Sequence, residues 1–178
     1  MVQKATIYKI RIALSDLERN YYDALNLTIA QHPSESLERM MARVLAFSVN
    51  AQAGLMFTKG LSSVEEPDIW IPMLDGQTSL WIDVGEPSVE RIKKATRLAG
   101  EVKVYSFNSK SDVWWEHGRS KFAMLKASLF RFDSQCIKEL SGFIERTMDI
   151  SITITGNSAF IATELGECEV TWEPLQLL

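Results

Sequence analysis

The stretch Glu65-Glu66-Pro67-Asp68-Ile69-Trp70-Ile71-Pro72-Met73-Leu74-Asp75-Gly76-Gln77-Thr78-Ser79-Leu80-Trp81-Ile82-Asp83-Val84-Gly85-Glu86-Pro87 leads into a basic segment that ends at Gly100, and the chain is organised around it. Two β-type runs, Ile69-Trp70-Ile71 and Leu80-Trp81-Ile82, flank a polar turn with Asp75-Gly76, whose residues tolerate positive φ and signal a hairpin. Antiparallel neighbours lie about 5 Å apart, so Asp68 before the first run and Asp83 after the second meet at one end of the pair. Two carboxylates that close repel each other unless a cation or a shared proton lies between them. A hard divalent cation held by carboxylate, carbonyl and water is the natural third party, which makes this end a candidate metal site.

Working outward, residues 4–14 alternate, with Ile10, Ile12 and Leu14 on one side, and residues 21–31 resume a β pattern, so the chain opens with a hairpin. Pro33-Ser34 starts a helix over about Glu35 to Val49 with an apolar stripe of Leu37, Met40, Met41, Val44 and Leu45. Glu38, one turn in, is stabilised by the helix dipole. It either pairs with Arg39 or Arg43 at the surface or completes a carboxylate site with Asp68 and Asp83. A short strand over 53–58 follows, then a loop with Lys59, Gly60, Ser62 and Ser63.

Downstream, Pro87-Ser88 opens a second helix to Leu98, stopped by Gly100, with Arg91, Lys93, Lys94 and Arg97 on its outer side and Glu90 placed to pair with Lys94. Residues 101–107 alternate as a strand, and a helix between two β runs implies a crossover to a parallel neighbour. Residues 109–122 read as a helix carrying Trp114, Trp115 and His117 among cations, a pattern of core and rim more often than of base stacking. A strand over 127–132, a helix from Ser134 to about Thr147 capped by Asp133, strands around 150–154 and 159–163, and a last strand, Cys168 to Trp172, ending before Pro174, complete the pattern.

With 178 residues and 46% hydrophobic content, the chain buries a core as one domain, 1–178. The opening residues contain no apolar run long enough for a signal or a membrane span, so a cytoplasmic location and no membrane partner are expected. Cys136 and Cys168 lack metal or disulfide spacing. The net charge of −4 hides a segregation. Residues 88–131 hold 10 Lys and Arg against 4 Asp and Glu, whereas 132–178 hold 2 against 8. The basic middle third is either a solvated face balanced by acidic neighbours or a surface for nucleic acid, DNA or RNA. Neither His32 nor His117 has triad or ligand spacing, and the glycine-rich phosphate loops and the G-x-S-x-G elbow are absent.

A helix bearing Glu38, a strand, a strand preceded by Pro67-Asp68, a strand ending Ile82-Asp83-Val84-Gly85-Glu86-Pro87, a basic helix and a further strand together resemble the core of the PD-(D/E)XK nucleases. The segment Trp81 to Pro87, the following Arg91-Ile92-Lys93-Lys94-Ala95 and the opening hairpin resemble, more specifically, the YaeQ family of bacteria over essentially the whole chain. The resemblance implies a mixed α/β fold: a restriction-endonuclease-like mixed sheet flanked by helices, with its nuclease-like core at about 35–107, an added N-terminal β-hairpin and added C-terminal strands. It also implies a Mg²⁺-dependent phosphodiesterase. Asp68 matches the first motif aspartate, Asp83 the second acid and Glu38 the helix-borne acid, with Glu86 a further candidate ligand. The motif lysine, which orients or helps deprotonate the attacking water, falls on Gly85 here, leaving Lys94 or Lys103 to supply it. Gly85-Glu86-Pro87 also reads simply as a sharp turn from strand to helix. Without that lysine, two further readings stand beside the enzyme: a noncatalytic module that binds nucleic acid through Arg91, Lys93, Lys94 and Arg97, and a protein-binding module on a degenerate nuclease scaffold.

Overall fold

A computed structural model describes residues 4–58 and 65–178; the loop expected over Lys59 to Ser63 lies outside the described residues. In chain order the elements are β1 (Thr6–Asp16), β2 (Tyr21–Gln31), α1 (Leu37–Val49), β3 (Met56–Phe57), β4 (Ile69–Pro72), β5 (Thr78–Val84), α2 (Val89–Leu98), β6 (Ala99–Ser106), α3 (Ser111–Phe122), β7 (Ser128–Phe132), α4 (Ser134–Ser141), β8 (Thr147–Thr155), β9 (Ser158–Ala162) and β10 (Glu167–Gln176). The strands form one ten-stranded mixed sheet in the order β2-β1-β8-β9-β10-β7-β6-β5-β4-β3. This is the mixed α/β architecture expected.

The hairpin between Asp68 and Asp83 forms in the register its alternation requires: Ile69 faces Ile82, Trp70 faces Trp81 and Ile71 faces Leu80. Gly76 takes φ +86° in the turn. β5, β6 and β7 run parallel, as a crossover demands. Helices α1 and α4 cover one face with a large cluster that takes in Met40, Val44, Ile82, Ile137 and Leu140. The opposite face is covered by α2 and α3 around Trp81, Ile92, Ala95, Val104 and Phe122.

Several boundaries differ from expectation. Gly100 does not stop α2: Ala99 is the cap residue and already begins β6, and a Cβ on Gly100 would stand 3.3 Å from the Ser79 carbonyl of the neighbouring strand. Helix α4 ends at Ser141 rather than near Thr147, because Gly142 caps it, and β8 begins directly at Thr147. Phe143 and Ile144 therefore reach the core from the connecting loop. β10 runs through Pro174, which pairs with Phe130; a register shift between Pro174 and Gln176 accommodates the missing N–H. The strand expected over 53–58 shrinks to Met56–Phe57.

Candidate functional site

Asp68 and Asp83 meet where β4 begins and β5 ends. The Asp68 amide donates to the Ile82 carbonyl at 3.1 Å, and Asp68 Oδ2 accepts the Val84 N–H at 2.8 Å. Their carboxylates are close enough that the Asp68 charge is felt at Asp83. Each is held by an arginine. Asp68 Oδ1 accepts from Arg39 at 2.6 Å. Asp83 accepts a forked pair from Arg91 at 2.8 and 3.1 Å, and Arg91 also reaches the Glu66 carbonyl at 2.9 Å. Forked guanidinium–carboxylate bonds are the strong, geometrically selective kind.

The helices supply these arginines for local reasons. Ser36 caps α1 by accepting the Arg39 amide, and Ser88 caps α2 by accepting the Arg91 amide. Both caps fix the first turn of a helix just above the carboxylates. Beneath Arg39 lies Glu35, whose side chain is fully buried and accepts from Arg39 at 2.6 Å and from Arg43 at 2.5 and 2.9 Å. The result is one connected network, Arg43–Glu35–Arg39–Asp68, lying beside Asp83–Arg91.

Burial raises the Asp83 carboxyl above its ordinary value; Arg91 opposes the rise through hydrogen bonding and charge, while Asp68 adds to it. The buried Trp81 indole N–H has no hydrogen-bond partner in bonding geometry, yet it lies near enough to Asp83 to favour its charge. Burial works against the Arg39 charge, but Asp68 and Glu35 outweigh it and raise its pKa.

The remaining expected residues lie apart. Glu38 is half-buried on α1 and does not join the two aspartates: among the described residues, no three acidic, histidine or cysteine side chains gather closely enough to hold a metal ion. Glu86 accepts from Asn108 at 3.1 Å, and burial raises its pKa. Lys94 pairs with Glu65 at 2.9 Å instead of Glu90. Lys103 stands level with Ile82 in the parallel β5–β6 pair and so points to the α1 face, where it donates to Asn50 at 2.8 Å. Asp83, the next residue along β5, points the other way. Lys93, Lys94 and Arg97 are all exposed along α2.

Gly85, where the resemblance expected a lysine, has φ +125°, a backbone conformation that disfavours any side chain even though a Cβ there would meet nothing within 4 Å. The turn reading of Gly85-Glu86-Pro87 accounts for it. As arranged, both carboxylates are engaged by guanidinium groups, so a Mg²⁺ ion, which demands near-octahedral oxygen ligation, would have to displace them to bind here. Sequence reasoning misses Glu35 and Arg39. Their signal is the spacing Glu35, Arg39, Arg43, which places two cations at successive four-residue steps after one acid.

The family model described as YaeQ protein matches residues 1–172. The uncharacterized YaeQ proteins of Escherichia coli K12 and Salmonella typhi are each 38% identical to this chain, over 96% of it and 95% of their own length. The crystal structure of the YaeQ protein from Xanthomonas axonopodis pv. citri superposes with a TM-score of 0.94 at 32% identity, covering 98% of this chain and 99% of that one. That of Pseudomonas syringae gives 0.93 at 30%, covering 99% of each.

Proposed function

The chain belongs to the YaeQ family, and we propose that this member is a nucleic-acid-binding module on a nuclease-like scaffold, one that holds the phosphate backbone of DNA or RNA without cutting it. The observation that carries this reading is the engagement of Asp68 by Arg39 and of Asp83 by Arg91. The two carboxylates that would ligate a metal instead fix two guanidinium groups, 17% and 28% exposed above aspartates that are 11% and 4% exposed. A rigid, partly open guanidinium is suited to phosphate oxygens. Lys93, Lys94 and Arg97 extend the cationic surface along α2, and Gly85 leaves no lysine at the motif position.

Fluorescence anisotropy with labelled single- and double-stranded DNA and RNA oligonucleotides, across a KCl series, tests it. Binding whose log affinity falls linearly with log salt is expected, and a Lys93→Glu/Arg97→Glu double variant should weaken it by about tenfold or more at low salt. No binding to any of these oligonucleotides at low salt would overturn the reading and favour a protein partner. The second reading is a Mg²⁺-dependent phosphodiesterase, favoured by Asp68 and Asp83 standing side by side on paired strands. It requires the ion to displace both arginines. Cleavage of the same oligonucleotides in Mg²⁺ or Mn²⁺, abolished by chelation and by Asp83→Ala, would decide for it.

A further inference from the structure

The two edges of the sheet are unlike. β3 closes one with two residues, whereas β2 forms the other with eleven, paired to β1 without a break from Tyr21 to Gln31. Among the described residues no strand pairs with its outer side. Long edges are normally blunted by a bulge, a proline, or a lysine, since a row of unpaired backbone groups templates another strand. β2 has none of these, and its one charged residue is Asp23.

The backbone groups that face outward are identified by their partners. Ala24 N–H donates to Asp23 Oδ1 at 2.8 Å, and the Ala30 carbonyl accepts from Arg43 at 3.0 Å. Successive residues of an antiparallel strand turn these groups to alternate sides, so Ala24, Asn26, Thr28 and Ala30 face away from β1. We propose that β2 is the interface of a symmetric dimer, two copies of this chain pairing antiparallel about Leu27.

That register sets Asn26 opposite Thr28 and Ala24 opposite Ala30. Asn26 and Thr28 then exchange both of their backbone hydrogen bonds, at two places related by the two-fold axis. At each end Ala30 N–H meets the carbonyl of Ala24. The two groups already satisfied inside each chain, Ala24 N–H and the Ala30 carbonyl, would otherwise be each other's partners. From Ala24 to Ala30, pairing about Leu27 therefore leaves no outward group orphaned, whereas a shift of two residues would set an occupied group against an open one. The side chains permit close approach: Ala24, Asn26, Thr28 and Ala30 are small or short and all exposed. Asp23 falls beside Gln31 and His32 of the second copy, so no like charges face each other. The contact is isologous, closing at two subunits.

The test is sedimentation velocity over a concentration series, on the wild type and on Asn26→Pro. Asn26 turns its N–H away from β1, so proline there spares the hairpin while deleting one intermolecular bond per copy. Thr28→Lys, an edge charge, is the second variant. The wild type is expected to dimerise, and Asn26→Pro to raise the dissociation constant about a hundredfold, a factor of about ten for each lost bond. Amide exchange at Asn26 and Thr28 should slow as the dimer forms. Circular dichroism confirms that the variants keep their fold. A wild type that stays monomeric at high concentration overturns the proposal, and so does a dimer that neither variant weakens. The outcome is independent of whether the arginine face binds nucleic acid.

Discussion

At the residue scale, the acids of the candidate site are legible in the sequence and their partners are not. Asp68 and Asp83 can be brought together from the hairpin pattern alone, because a turn and two alternating runs fix a register locally. Arg39 lies 29 residues from Asp68, and their pairing depends on how α1 docks against β4 and β5, which no local pattern encodes. Glu86 shows a consequence of the same burial. Desolvation lifts its carboxyl above the ordinary 4.5, with Asn108 partly countering it. An acid whose folded value is raised binds its proton more tightly in the native state, so stability is fully present below about the ordinary value and declines as pH rises through the folded one. Glu86→Gln keeps an acceptor for Asn108 and removes that titration. Urea midpoints measured across pH should coincide for variant and wild type in acid and separate in the variant's favour towards neutrality. Parallel curves would mean that the Glu86 charge is as well solvated in the native state as in the unfolded chain.

At the scale of single elements, strands with strict alternation are legible, and boundaries set by distant contacts are not. The extension of β10 past Pro174 depends on β7, and the entry of the chain into β6 at Ala99 depends on the approach of Ser79. Helix α3 carries a similar distant constraint inside its own sequence. Gly118 lies in its interior, where alanine would ordinarily gain about 1 kcal/mol. A Cβ there would fall 2.4 Å from Phe122, whose ring is 1% exposed and packs against Trp114 and Trp115. Overpacking outweighs helix propensity, and Gly118→Ala should lose about 1–3 kcal/mol by urea denaturation. Adding Phe122→Leu relieves the clash, so the double variant should be more stable than the two single losses summed. A stabilising Gly118→Ala would show that the ring simply moves aside.

At the scale of the whole molecule, the last strand joins what the earlier ones build. β10 pairs with β9 through Glu167 to Thr171 and with β7 from Trp172 to Gln176, so one strand connects the half-sheet begun by the opening hairpin to the half-sheet that carries Asp68 and Asp83. Gln176 reinforces the second contact by donating to the carbonyls of Phe122 and Ala127, each at 2.9 Å. Removing residues 173–178 would leave the first contact whole and reduce the second to Trp172 opposite Phe132. Each lost hydrogen bond contributes about 0.5–1.5 kcal/mol, and the unpaired edge of β7 would face water. The α1 cluster still spans both halves, since Ile10, Met40, Ile82 and Phe132 share it, so the truncated chain should fold but with weakened coupling between the halves. Calorimetry should then find a lower melting temperature and a van't Hoff enthalpy below the calorimetric one, the mark of a transition that is no longer two-state. If the truncated chain instead melts in a single two-state step at the original temperature, the α1 cluster alone couples the halves, and the arginine–carboxylate network owes its rigidity to the helices above it.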